Sequence, residues 1–262
     1  MSTSTDSPLR ILVEPPIGWL IVDRPAQRGA MTQSMWLEMP RLLLSLASHP
    51  DVRVVVVRGS GGHFIAGADI AEFLDLRSNP ALAREYDRGA NETLDTLAEL
   101  AVPSVAMIEG ACIGGGCLIA FGCDLRIAAE TAKLGIPAGR LGLAYPYEGI
   151  ERLVALLGEG RAVELLLTAR VLDGRKAAEN GLVQIAVPGE SLESETRKLA
   201  ADIASNAPLA LLYSRVSVRR ALPSRAAPER IQALADNCFL SADYGEGIAA
   251  FLEKRPPRFS GR

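Results

Sequence analysis

PSVAMIEGACIGGGCLIAF, residues 103–121, passes from a β-type run (Pro103 to Ile108) through three consecutive glycines, Gly114, Gly115 and Gly116, into an apolar helical run from Cys117 to Phe121. A strand leading into a helix leaves the first helical amides without intrahelical partners, and glycine lets a bound anion approach them with no Cβ in the way. The stretch therefore predicts an α/β fold with a site for developing negative charge at the junction. A second loop of small residues, Phe64-Ile65-Ala66-Gly67-Ala68-Asp69, follows Val54 to Val57, a β-branched run of the kind buried on both faces of a sheet. If the two strands are neighbours, their C-terminal loops face one another and amides from both can converge on one oxygen, as an oxyanion hole requires. Singly, each glycine cluster is a tight turn. The pair predicts a site.

Outward from these loops, Ile11 to Glu14 and Trp19 to Asp23 flank Pro15-Pro16-Ile17-Gly18 and read as a β-hairpin. Helical spacing over Gln33 to Ser48 puts Trp36, Met39, Leu42, Leu43 and Leu46 on one face. A polar-rich helix is expected from about Pro80 to Leu100, and Leu125 to Ala128 resumes strand. The alternation of strand and helix points to an α/β domain with crossover connections. After Gly142 the pattern is almost wholly helical, through Pro208 to Ala221, Pro228 to Leu240 and Gly245 to Lys254, with one short interruption at Leu182 to Val187. We therefore expect a core over residues 1–195 and a C-terminal helical region over 196–262.

The 262 residues are 48% hydrophobic and 23% charged with a net charge of −3, which gives no global basic field for nucleic acid. Met1 to Pro8 is polar, unlike a signal peptide, and no apolar run approaches transmembrane length, so a cytoplasmic protein is expected. Cys112, Cys117, Cys123 and Cys238 lack CxxC spacing and read as buried free thiols. No metal site, Rossmann fingerprint or Walker motif is present. His49 and His63 read as surface and solvent-facing loop residues, and Tyr147 as a packing aromatic. Asp69 is placed to cap a helix starting at Ile70, which would also hold the Ala68 amide.

The chain resembles the crotonase superfamily, the enoyl-CoA hydratase and isomerase group, over nearly its whole length. The resemblance rests on Asp23-Arg24-Pro25 leading to Arg28-Gly29-Ala30-Met31, on Phe64 to Ile70, and on Glu109 to Cys117. It continues through Cys123 to Ala128, Leu134-Gly135-Ile136-Pro137, and the terminal Glu246-Gly247 with Phe251 to Arg255. It implies a spiral of ββα turns, a C-terminal helical trimerisation region, a homotrimer or homohexamer, and lyase or isomerase chemistry on an acyl-CoA substrate. No cofactor is implied beyond the coenzyme A of that substrate. The enolate oxygen would accept from the amides of Ala68 and Gly115. Coenzyme A would lie against Arg28, Ala66, Asp69 and Ile70, with Phe251 and Lys254 supplied by the C-terminal helix, in the family often that of a neighbouring subunit.

One departure bears on the reaction. Where the family's hydratases carry two glutamates, this chain has Leu118 and Ala138. Neither transfers a proton, so standard hydration is not expected. Replacement groups are sought in Leu143 to Gly149, where Tyr145 and Glu148 are the candidates, Glu148 also suiting a helix N-terminus. Tyr145 falls about where the methylmalonyl-CoA decarboxylase branch has a tyrosine, which makes a malonyl-type decarboxylase one alternative. A non-catalytic acyl-CoA-binding protein is another.

Overall fold

A computed structural model of the chain describes residues 7–77, 80–220, 236 and 240–257. Strands β1 (Leu9–Glu14) and β2 (Ile17–Val22) form the expected antiparallel hairpin, turning through a cis Pro15-Pro16 bond. Helix α1 (Gln33–Ala47) starts at Thr32, whose hydroxyl accepts from the Met35 amide. It buries the predicted face, Trp36, Met39, Leu42, Leu43 and Leu46, almost completely. The β-branched run becomes β3 (Val54–Gly59), and its four valines are fully buried. Helices α2 (Ile70–Arg77) and α3 (Pro80–Glu99) follow, then β4 (Ser104–Ile108).

The glycine run does not follow β4 directly. A further strand, β5 (Ala111–Ile113), intervenes, and α4 (Gly115–Gly122) begins after it. Next come β6 (Leu125–Ala129), β7 (Lys133–Gly135), a 3₁₀ turn at Pro137–Leu141, α5 (Tyr147–Leu157) and α6 (Glu159–Thr168). Then β8 (Val171–Asp173), α7 (Gly174–Glu179), β9 (Ile185–Val187), α8 (Leu192–Ala204), α9 (Pro208–Arg220) and α10 (Ala242–Leu252) complete the described elements. Three-residue strands such as β5, β7 and β8 are too short to show an alternating pattern, which is why the sequence does not announce them. Most of the helix expected over Pro228 to Leu240, with Cys238, lies outside the described residues. The boundary expected between residues 195 and 196 falls inside α8, which packs on β3, β4 and β6.

The strands form one large sheet, ordered β1-β2-β3-β4-β6-β9, and one small sheet, ordered β5-β7-β8. From β2 onward the large sheet is parallel. Each ββα turn places its first strand in the large sheet and its second in the small one: β4-β5-α4, then β6-β7 and the 3₁₀ turn. The β3 turn repeats the pattern, with Ile65 bridging Cys112 beside β5. Because β3 and β4 are parallel neighbours, their C-terminal loops emerge side by side. That adjacency builds the site.

Arg126, only 2% exposed, secures the far end of α4. Its guanidinium donates to the carbonyls of Ala120 at 3.2 Å, Cys123 at 3.0 Å and Leu182 at 2.9 Å. A cation there satisfies orphan helix carbonyls and complements the negative end of the helix dipole. Arg126→Leu strands these buried acceptors and should lower unfolding stability by about 3 kcal/mol in urea titration. A loss under about 1 kcal/mol would contradict this role.

Candidate active site

Ile65 N–H donates to Ala111 at 2.8 Å, and Ile113 N–H donates back to Ile65 at 3.0 Å, joining the loop after β3 to β5. On the other side, Met31 N–H donates to Gly67 and Asp69 N–H to Met31, both at 2.8 Å. This parallel-bridge pattern directs the Ala68 N–H away from Met31. Among the described residues the Ala68 amide donates to no acceptor. Gly114 is the N-cap of α4 with φ 53° and ψ −105°, a conformation open to glycine and hostile to other residues. Gly115 follows as the first helical residue, and its amide likewise has no acceptor among the described residues. A β-carbon on Gly115 would stand 3.8 Å from the Gly67 carbonyl carbon, so the two loops are in contact.

Ala68 and Gly115 line one cavity. Its walls are Trp36, Tyr86 and Ala90 on one side and Leu118, Ala138, Leu141 and Leu143 on another, with Ile70 and Phe73 from α2. Ile248 and Phe251 of α10 close it from within the same chain. That helix rests on the Pro137–Leu141 turn, where a β-carbon on Gly247 would overlap the Leu141 backbone. Such a concave, mostly apolar space with unpaired backbone donors at one end suits a ligand with an apolar body and a polar reacting group.

Of the residues singled out from sequence, Ala66, Ala68, Ile70, Gly115, Tyr145 and Phe251 line the cavity; Arg28, Asp69, Glu148 and Lys254 do not. Asp69 is the expected cap: its carboxylate accepts from the Ala71 amide at 3.2 Å. It also pairs with Arg24 at 2.8 Å, and Arg24 donates to the Ala30 carbonyl at 2.6 Å. This clamp fixes the 66–69 loop against the 28–31 segment. Arg28 is exposed, in left-handed conformation, and its carbonyl accepts from the Ala66 amide at 3.0 Å. Glu148 lies in the first turn of α5, and Lys254 is exposed just past α10. His63 is not solvent-facing as expected: it is half-buried and its Nδ1 accepts from the Ala111 amide at 3.1 Å. Cys112, Cys117 and Cys123 are buried free thiols.

Tyr145 is half-buried, and its hydroxyl donates to the Gly114 carbonyl at 3.1 Å. Its one proton therefore holds the glycine turn. Burial pushes this hydroxyl well above its ordinary pKa, and the neighbouring Cys117 and Cys112 thiols add to the effect.

A family model described as enoyl-CoA hydratase/isomerase matches residues 16–262. The chain belongs to that family. It is 34% identical over 244 residues to a crotonyl-CoA hydratase of Syntrophomonas wolfei, covering 92% of this chain and 93% of the relative. A crystal structure of an enoyl-CoA hydratase/isomerase family protein from Hyphomonas neptunium matches with TM-score 0.81 and 33% identity, covering 99% of this chain and all of that one. Methylmalonyl-CoA decarboxylase in complex with 2-nitronate-propionyl-CoA matches with TM-score 0.86 and 27% identity, covering 97% of this chain and 98% of its own.

In this enoyl-CoA hydratase/isomerase family member, sequence reasoning missed Trp36, Asp87 and Ile248 as lining residues. Trp36 and Ile248 carry no signal beyond ordinary hydrophobicity. Asp87 carries none either, because it sits beside the buried stripe of Ala83, Tyr86, Ala90, Leu94 and Leu97 on α3.

Two outcomes follow from this geometry. A β-carbon on Gly116 would overlap the Ile65 carbonyl, so Gly116→Ala must push α4 off the loop and should cost about 2 kcal/mol or more in denaturant unfolding. The raised Tyr145 pKa means the native state holds its proton more tightly than the unfolded chain. Its advantage is full below about pH 10 and is lost as pH climbs from there toward the folded value. Tyr145→Phe should flatten that alkaline loss; an unchanged stability profile between pH 9 and 11 would sink the assignment.

Proposed function

We propose that this chain is an acyl-CoA enzyme that stabilises a thioester enolate between the amides of Ala68 and Gly115, without the paired carboxylates of hydration. The observation that carries the reading is a pair of amides, without acceptors among the described residues, on residues that line one cavity together with Leu118 and Ala138. In an enolising thioester the electron pair of the breaking α-bond moves onto the carbonyl oxygen. Donors fixed in a site of low dielectric stabilise that charge far more than they stabilise the ground state. Small residues suffice at both positions because the backbone does the work. Coenzyme A would leave past Ala66 and Ile70 toward the exposed cations Arg28 and Lys254, which act on its phosphates as point charges. Exposed Leu209, Tyr213 and Val218 on α9 support burial of that helix in a homotrimer or homohexamer.

A second reading is decarboxylation of a malonyl-type thioester. It draws support from the similarity to methylmalonyl-CoA decarboxylase and from Tyr145 in the cavity wall. There the bond to the carboxylate carbon breaks, CO₂ leaves, and its electron pair reaches the same oxygen with no base required.

Mass-spectrometric assay of a CoA-thioester panel tests the proposal. Wild type should hydrate crotonyl-CoA near background, and Leu118→Glu with Ala138→Glu should raise hydration by about 100-fold or more. Release of CO₂ from malonyl-type thioesters would establish the second reading. Binding of thioesters without turnover of any would leave a binding protein and overturn both.

A further inference from the structure

Each amide assigned above to the thioester oxygen is one end of a peptide unit. The other end is a carbonyl, that of Gly67 for Ala68 and that of Gly114 for Gly115. In a trans peptide the C=O and N–H point in opposite directions, so whatever grips the carbonyl also sets where the amide aims. The Gly67 carbonyl accepts from the Met31 amide at 2.8 Å. The Gly114 carbonyl accepts from the Leu118 amide at 3.0 Å and from the Tyr145 hydroxyl at 3.1 Å. The donors from Met31 and Leu118 are backbone groups; Tyr145 acts by its side chain.

The Leu118 bond is the ordinary i to i−4 bond that starts α4. Helix geometry does not call for the Tyr145 bond, which reaches back 31 residues. Gly114 has open space where a β-carbon would stand, with nothing within 4 Å, so packing on that side does not fix the turn. Its hydrogen bonds do, its own amide donating to the Gly135 carbonyl at 2.9 Å. The Tyr145 ring is itself pinned, since a β-carbon on Gly149 would stand 2.7 Å from its Cε1.

A donor on a carbonyl draws electrons from the amide nitrogen and strengthens the N–H at the far end, because hydrogen bonds in a chain polarise one another. We propose that Tyr145 is a positioning residue for the thioester oxygen, acting through the Gly114–Gly115 peptide to aim the Gly115 N–H and to strengthen it as a donor. The inference rests on the reading that this amide receives that oxygen. It serves enolisation and decarboxylation alike, since both deliver an electron pair to the same atom. Burial raises the pKa of the phenol, so its proton stays in place at neutral pH.

Isotope-edited infrared spectroscopy of bound butyryl-CoA, labelled with carbon-13 at the thioester carbonyl, tests this. The carbonyl stretch falls as its oxygen accepts stronger hydrogen bonds, so wild type should lower it relative to the free thioester. Tyr145→Phe keeps the ring against Gly149 and should reduce that downshift by about 10–30%. Incorporation of 3-fluorotyrosine at position 145, a stronger hydroxyl donor of nearly the same volume, should enlarge it. A tyrosine that only packs moves neither value. A downshift unmoved by both variants, or moved in the same direction by both, overturns the role of Tyr145 while leaving the thioester site intact. Absence of any downshift in wild type removes the reading of the Ala68 and Gly115 amides and this inference with it.

Discussion

The constraint on which the site depends is the close backbone packing that seats α4 on the loop after β3. No side chain fits at Gly116, because the Ile65 carbonyl already fills that space, and the same Ile65 is hydrogen-bonded on both sides into β5. The helix start is thereby registered against the 64–69 loop by backbone alone. Both unsatisfied amides depend on this seat, since Ala68 belongs to the loop and Gly115 to the helix. Arg126 holds the other end of α4, so the helix is fixed at both termini. A preorganised pair of donors costs no reorganisation when charge develops, which is the property the proposed oxyanion role requires.

Around this rigid seat the cavity is unusually poor in acid and base. Leu118 projects from the first turn of α4, one of the few helical positions that can reach a group held at Gly115, and it is buried and apolar. Its neighbours reinforce the choice. A β-carbon on Gly149 would stand 2.6 Å from Cδ1 of Leu118 and 2.7 Å from Cε1 of Tyr145, so α5 approaches closely to pack both. A charged side chain at 118 would have to displace that packing or be satisfied within it. On the proposed reading, the site keeps donors for developing charge and has hydrophobic contact at Leu118 and Ala138.

The sheet-and-helix order, the face of α1, the Asp69 cap and the two glycine loops were legible in the sequence. Each depends on a local rule, whether helical periodicity, capping chemistry or the steric freedom of glycine. The small sheet was not legible, because three residues carry no period. The cis closure of the cavity was not legible either. Ile248 reads as an ordinary apolar helix residue and Phe251 as a coenzyme A contact, and only the contact of Gly247 with the Leu141 backbone shows which chain segment they cover. His63 looked like a loop histidine because its partner, the Ala111 amide, lies 48 residues away. Tyr145 was found by position, and its hydrogen bond to the Gly114 carbonyl is a contact that the sequence does not announce.

These points bear on how the cavity chooses among reactions. Backbone amides recognise the thioester oxygen of any acyl-CoA equally, so they confer a reaction type and no preference for the acyl group. Preference must come from the walls, and the walls offer shape from Trp36, Phe73 and Leu143. Shape alone discriminates weakly, by about one to three kcal/mol per methylene. Those walls come from α1, α2 and the segment before α5, outside the glycine turn.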